Sequence, residues 1–288
     1  MTEWNKKQLA INYELGRPLD RNVMISLFKK IAPIVSLRDK IILDAGCGTG
    51  RISIPLSEEF NSLKVVGIDK SSEMTNVLKE KISKQKIKNF EVITGNLSKI
   101  KYPDDYFDIS IISSVLHSIP DWKQVITEIV RVTKKGGYLF LISEQGEIYD
   151  LALERKISKN HGLLDRFWGI YIELRHKYDL ENAENTQVGL KWQLGEPDLI
   201  NYLIEKNYLE SKSGVNINWK KDFSIKESMD IIENKCWSSM FTADDVLFSN
   251  LVRDMKQWIK DEKISLQDTY ASKFVVNCEI IKLKRPTD

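Results

Sequence analysis

Two acids and a run of glycines carry the chemistry legible in this sequence. The stretch Ile41-Ile42-Leu43-Asp44-Ala45-Gly46-Cys47-Gly48-Thr49-Gly50 ends an apolar run in a carboxylate and then places glycine at every second position. Residues without a Cβ let the backbone turn sharply and come close to a ligand. Arg51–Phe60 is able to begin a helix, so the pattern predicts a strand, a tight loop and a helix N-terminus. That is the geometry of a nucleotide-type site in a doubly wound α/β domain. The spacing Gly46-x-Gly48-x-Gly50 puts Arg51 where the third glycine of a dinucleotide fingerprint would stand.

Asp44 bears on the choice of nucleotide. A carboxylate two residues before the loop repels a bound pyrophosphate by about a few kcal/mol in a partly buried site. A ligand carrying an ammonium and a sulfonium is attracted there instead, and S-adenosylmethionine (SAM) carries both. The second acid, Asp69, ends the short apolar run Leu63-Lys64-Val65-Val66-Gly67-Ile68 and lies 19 residues beyond Gly50. A carboxylate at that strand end suits both hydroxyls of an adenosine ribose. Asp69 fits SAM and NAD alike; Asp44 and the loop spacing favour SAM.

Over roughly Ile41 to Glu144 the chain resembles the class I SAM-dependent methyltransferases, in particular the broad group acting on small molecules. Asp44 to Gly50 looks like the glycine-rich first motif and Asp69 like the ribose acid. Thr94-Gly95-Asn96-Leu97 is similar to the third motif, with Asn96 where the family usually has an acid facing the adenine amine. The Asn96 side-chain oxygen still accepts a hydrogen bond. Phe107–His117 resembles the fourth motif, and Thr133-Lys134-Lys135-Gly136-Gly137 the turn before the fifth strand, with Lys135 in place of proline. The resemblance implies SAM as cofactor and S-adenosylhomocysteine as its product. It implies cofactor contacts from Gly46, Cys47, Gly48, Gly50, Lys70, Met74, Asn96 and Leu97, with Ser113 holding the methionyl end by its backbone. Cys47 also reads as a small filler of the loop. The run Tyr13-Glu14-Leu15-Gly16-Arg17-Pro18 resembles a segment in which a tyrosine and an arginine close over the cofactor carboxylate; a solvated N-terminal arm is the other reading.

The elements that must position these groups follow from periodicity. Val23, Met24, Leu27, Phe28 and Ile31 predict a helix over about 20–32, with Asp20 as its cap. Strands are expected near 40–45, 63–69, 89–94, 106–112 and 136–143, and helices at 50–58, 71–86 and 121–132. Such alternation means a parallel sheet covered on both faces, with ligands beyond the carboxyl ends of its strands. The expected fold is α/β, Rossmann-like, with a seven-stranded, mostly parallel sheet whose last strand is antiparallel, and an added helical lid. Residues 1–145 would form the SAM-binding core with an N-terminal helix, 146–192 a helical lid insertion, and 193–288 the completion of the sheet. A second insertion is expected at about 222–262.

The elements expected after Glu144 are a helical segment over 147–179, a helix over 198–206, a sixth strand over 209–217 and a seventh over 272–283. Two further helical stripes are Ile225, Met229, Ile232, Cys236 and Leu247, Leu251, Met255, Trp258. Trp168, Trp192, Trp219, Trp237 and Trp258 all fall in this half. Each is expected as core of helices that have no sheet of their own, and as a group the added helices would help line an acceptor pocket.

Methyl transfer rests mainly on positioning, and a protein base is needed only where the acceptor must lose a proton. His117, just past the fourth strand, is the first candidate base or, alternatively, a brace for the cofactor. Tyr171 and His176 are further catalytic candidates, although His176, like His161, also reads as an ordinary surface or core histidine.

Bulk properties narrow the field. With 43 basic and 41 acidic residues the net charge is +2, so no global footprint for nucleic acid exists. No Pro-Pro-Tyr follows the fourth strand, as it would in enzymes methylating DNA adenine; Ser113-Ser114-Val115-Leu116 stands there. The three cysteines have neither metal spacing nor pairing logic, which points to a cytoplasmic setting. No apolar run is long enough for a membrane span, and Met1–Lys7 has no signal-peptide core. The expectation is an enzyme that methylates oxygen or nitrogen of a small metabolite or natural product, without a metal. The rivals are a catalytically silent SAM-binding subunit and an NAD(P)-dependent oxidoreductase.

Overall fold

The computed structural model describes residues 7–17, 19–116, 119–148, 162–180, 195–237, 240 and 243–285. In chain order the described elements are α1 (Lys7–Asn12), α2 (Arg21–Ile31), β1 (Ile41–Ala45), α3 (Ser53–Glu59), β2 (Lys64–Asp69), α4 (Ser72–Gln85), β3 (Phe90–Thr94), β4 (Phe107–Ser113), α5 (Trp122–Val132) and β5 (Thr133–Gly146). They continue with α6 (Leu163–Lys177), α7 (Gly195–Glu205), β6 (Leu209–Ser224), α8 (Ile225–Glu233), α9 (Asp245–Asp261) and β7 (Thr269–Leu283).

The strands form one seven-stranded sheet in the order β3-β2-β1-β4-β5-β7-β6. β1 through β5 pair in parallel, while β7 runs antiparallel to both β5 and β6. The expected fold class is therefore present, antiparallel last strand included. β1 and β2 are apolar on both faces because both faces are covered. On one face Ile42, Ile109, Ile111, Phe140 and Ile142 pack with α2 and α3. On the other Leu43, Ile112, Leu139 and Leu141 pack with α5 and α7.

Local signals set the helix ends. Asp20 accepts the amide of Asn22 at 2.6 Å to open α2, as expected. Ser71 caps α4 through the amide of Met74, and Lys86 closes it in the left-handed conformation at φ 57°. Ser224 and Glu227 form a reciprocal capping box at the start of α8.

Several boundaries differ from expectation. β5 begins at Thr133, so Gly136 and Gly137 lie inside the strand rather than before it. The register slips between Phe107 and Ile109, and Gly136 at φ 74° takes up the irregularity. β6 continues to Ser224. Within the expected helix over 147–179, α6 spans Leu163–Lys177, and residues 149–161 lie outside the described ones. In α9 the buried stripe is Phe248, Leu251, Met255 and Ile259; Leu247 is 38% exposed, because the helix starts at Asp245 and turns that position outward.

The long strands organise the second half. β5, β6 and β7 have 14, 16 and 15 residues, against 5 in β1. Their extensions pass the carboxyl edge of the parallel strands and carry α6, α8 and α9. Phe167, Trp168, Tyr171, Phe223, Met229, Ile232, Trp237, Leu251, Met255, Tyr270 and Phe274 form a separate core there. Trp168 and Trp237 stack at 5.2 Å, and the Trp168 indole donates to the Tyr270 hydroxyl at 2.9 Å. Trp258 and Trp219 pack against this core, while Trp192 lies outside the described residues. Among the described residues no helix is long and apolar enough to cross a membrane.

Candidate functional site

The glycine loop leaves β1 and folds back on β2. The amides of Gly46 and Cys47 both donate to the carbonyl of Ile68, at 2.8 and 3.2 Å. Gly46, Gly48 and Gly50 all have positive φ, at 82°, 51° and 82°. Their surroundings differ. A Cβ on Gly46 would run into Val115, and one on Gly50 into Leu78, so these two allow close packing of the loop. A Cβ on Gly48 would meet nothing within 4 Å. Gly48 is thus the point at which the loop backbone faces open space. Cys47 sits against Gly67 and belongs to a small cluster with Ile54 and Leu78, and burial pushes its thiol pKa up.

The two acids are built into this loop. Asp69 accepts the amides of Gly48 at 2.9 Å and Ser71 at 2.8 Å, and so holds the glycine loop to the start of α4. Its pKa is raised because burial outweighs these amide bonds. Asp44 is 3% exposed and accepts the Ser53 hydroxyl at 2.5 Å. Burial pushes its pKa up to about 7, opposed by Ser53 and aided by the charge of Asp69. A buried carboxyl held that high is poised to take a cationic partner.

The remaining expected residues fall around the same strand ends. Met74 is buried in the first turn of α4, and Lys70 is exposed just past β2. Asn96 is exposed and accepts the Ser98 amide at 3.0 Å, while Leu97 is buried. Ser113 ends β4, and Ser114 follows at φ 51°, which turns Val115 onto Gly46. By strand register Asp44, Ser113 and Glu144 share the sheet face that carries α2 and α3. His117 and His161 lie outside the described residues.

The N-terminal arm is packed, not solvated. Glu14 accepts the Thr49 hydroxyl at 2.6 Å and pairs with Lys81. The Trp237 indole donates to the carbonyl of Gly16 at 2.7 Å, and Asn12 donates to Asn234 at 3.0 Å. The arm therefore ties the glycine loop to the helical half. Arg17 lies 5.1 Å from the Tyr13 ring centre, and its Nε is buried with no hydrogen-bond partner among the described residues.

Two of the catalytic candidates lie elsewhere. Tyr171 is 1% exposed inside the helical core, 5.5 Å from Trp168. His176 is exposed in the last turn of α6. Sequence reasoning missed three groups: Glu14, Ser53 and the ion pair of Arg51 with Glu144. That pair joins at 2.8 Å with side chains only 10% and 7% exposed. Arg51 follows β1 in the glycine loop and Glu144 lies within β5, 93 residues away, so no local signal joined them.

Residues 37–188, more than half of the chain, match the family described as a methyltransferase domain. Over 102 residues the chain is 39% identical to the demethylmenaquinone methyltransferase of Listeria monocytogenes serotype 4a, covering 35% of this chain and 43% of that relative. It is 37% identical over 101 residues to the enzyme of that name from Oceanobacillus iheyensis, covering 35% and 42%. The chain thus spans less than half the length of these curated relatives. Among solved structures it resembles the YcgJ protein of Bacillus subtilis, at 15% identity, 92% and 99% coverage and a TM-score of 0.51. It also resembles phosphoethanolamine N-methyltransferase 2 of Haemonchus contortus in complex with SAM, at 16% identity, 98% and 58% coverage and a TM-score of 0.52. These two likenesses are of fold. The chain belongs to the family of methyltransferase domains, with the class I architecture that its motifs implied.

Proposed function

From that membership we propose that the protein transfers a methyl group from SAM to oxygen or nitrogen of a small metabolite or natural product. The observation that carries the reading is the glycine loop with its two buried acids: Gly48 faces open space, Asp69 braces the loop at its β2 side, and Asp44 lies buried below it. A buried acid at that point disfavours pyrophosphate and so a nicotinamide dinucleotide. The residues present fit SAM on a second count. Arg17 Nε is a buried donor with no acceptor among the described residues, and an arginine fork suits an α-carboxylate.

Asp69 would accept the ribose hydroxyls and Asp44 the methionine ammonium, directly or through water. Asn96 and Leu97 would flank the adenine, with Lys70 and Met74 beside the ribose. Ser113 would hold the methionyl end by its backbone, and Tyr13 and Arg17 would close over the carboxylate. Bound SAM supplies a methyl carbon already activated by sulfonium. The chain's part is to align an acceptor with it and exclude water, where orientation contributes at most roughly 7–11 kcal/mol. The helices α6, α8 and α9, carried past the carboxyl edge, would act as the lid over residues 1–145 and shape the acceptor site. The small-molecule class is supported by the name of the demethylmenaquinone relatives and by the balanced charge of the chain.

Calorimetric titration with SAM, S-adenosylhomocysteine and NADH tests the reading. Micromolar binding of the first two and none of NADH is expected. NADH binding would move the argument to hydride transfer, and SAM binding without turnover on any hydroxyl or amine acceptor would favour a silent subunit.

A further inference from the structure

The ion pair of Arg51 and Glu144 is half satisfied. Glu144 Oε2 meets Arg51 at 2.8 Å, while Glu144 Oε1 is buried and accepts no hydrogen bond among the described residues. An unpaired buried carboxylate oxygen costs about 1–3 kcal/mol or more, so its persistence calls for a role. Its place is specific. The sheet order runs β1-β4-β5, Arg51 belongs to the loop after β1, and Glu144 stands two residues past Ile142, the register partner of Ser113. The pair therefore crosses over the carboxyl end of β4. It stands on the face that carries Asp44 and Ser113, where the methionyl end of the cofactor is placed above.

We propose that Glu144 Oε1 receives the hydrogen of the methyl acceptor, with Arg51 as the positioning residue that holds the carboxylate in place. The proposal rests on the SAM-dependent reading. Transfer breaks the bond from sulfur to methyl carbon, whose electron pair stays on sulfur. The acceptor oxygen or nitrogen forms the new bond from its lone pair and keeps the electrons of its own O–H or N–H bond, and the proton passes to Glu144 Oε1. An acceptor with a donor hydrogen is thereby selected over one without, since only the former satisfies the buried oxygen.

The test needs no identified acceptor. Sinefungin carries an amine where SAM carries its methyl, and so presents N–H groups at the transfer point. In the wild type it is expected to bind about tenfold or more tightly than S-adenosylhomocysteine, through a charge-assisted hydrogen bond to Glu144. Glu144→Gln should erase that preference and leave the affinity for S-adenosylhomocysteine unchanged. Glu144→Asp keeps the negative charge but withdraws it by one methylene, and should lose the preference; a cooperative thermal transition in both variants separates the effect from misfolding. An unchanged sinefungin preference in both variants overturns the proposal. So does equal weakening of both ligands, which would make Glu144 a ligand of the cofactor's tail or a purely structural residue. Failure of the wild type to bind either ligand overturns the SAM-dependent reading itself, and the proposal with it.

Discussion

The glycine loop and the helical half handle buried polar and charged groups differently. In the helical half the Trp168 indole, the Tyr270 hydroxyl, the Ser228 hydroxyl and the Ser224 carbonyl form a closed chain of bonds at 2.9, 2.6 and 3.0 Å. Around the glycine loop Asp44 is pushed to about 7, Asp69 is raised, and Arg17 Nε and Glu144 Oε1 have no partner among the described residues. A fully satisfied network rigidifies a core; a half-satisfied one costs free energy until a ligand completes it. One indole nitrogen beside the helical core, Trp219 Nε1, is also unmet among the described residues, so the contrast lies in charge: the unmet groups that carry charge, on Arg17 and Glu144, gather around the glycine loop.

The largest effect that tests this contrast is Trp168→Ala. It removes a fully buried ring, its stack on Trp237 and its bond to Tyr270. A loss of about 3–5 kcal/mol in stability is expected by denaturant unfolding, with SAM affinity within about threefold of wild type. A hundredfold loss of SAM affinity in a folded variant would erase the division between the two regions. Asp69→Ala should behave in the reverse way. Affinity for SAM falls by about tenfold or more, as charge-assisted bonds to the ribose are lost. Stability changes little, because the removed carboxylate was held at a cost of burial. Unchanged affinity would end the assignment of Asp69.

How much of this was legible in the sequence follows the same line. Strands such as Ile41–Ala45 and Lys64–Asp69 are apolar runs bounded by glycine and acid, so both the sheet and the positions of Asp44 and Asp69 could be read locally. The end of β6 could not. Its last residues, Trp219-Lys220-Lys221-Asp222-Phe223, alternate in the manner of an exposed ribbon, and only pairing with Tyr270–Phe274 of the distant β7 makes them strand. The two added segments read as separate insertions, yet they share one core, a fact that no local pattern encodes. The Arg51–Glu144 pair was hidden for the same reason, since 93 residues separate its members. Long-range pairing, rather than weak propensity, is what the chain conceals.

Asp44→Asn sharpens the comparison through pH. The folded pKa of Asp44 lies near 7 against 3.8 for the free group. The folded state therefore holds this proton more tightly than the unfolded state. The stability it contributes is complete below pH 3.8 and is lost as pH rises through about 7. Above that the buried charge costs the fold at most about 4 kcal/mol. Asp44→Asn should melt above the wild type at pH 8, with the gap closing toward pH 4. The ammonium of SAM prefers the charged carboxylate, so wild-type affinity should rise across pH 6–8 with release of a proton, measured by calorimetry in buffers of different ionisation enthalpy. In Asp44→Asn affinity should be weak and flat over that range. A flat wild-type profile would mean that Asp44 never meets the ammonium.

The smallest predicted effect is the one that couples the two regions. The Trp237 indole donates to the carbonyl of Gly16, and Gly16 precedes Arg17, whose Nε is unpaired among the described residues. A side chain on Gly16 would strike Cys236 and Trp237, so the arm fits the helical half closely at this point. Trp237→Phe keeps most of the ring's packing and removes the N–H, losing its bond to the Gly16 carbonyl at a cost of about 0.5–1.5 kcal/mol. The arm should loosen rather than the core. SAM affinity is then expected to fall about two- to fivefold, with faster amide exchange over residues 12–17 and unchanged protection in α8 and α9. If exchange rises across α8 and α9 instead, Trp237 serves the core alone, and the arm is not the link through which the stable region steadies the binding one.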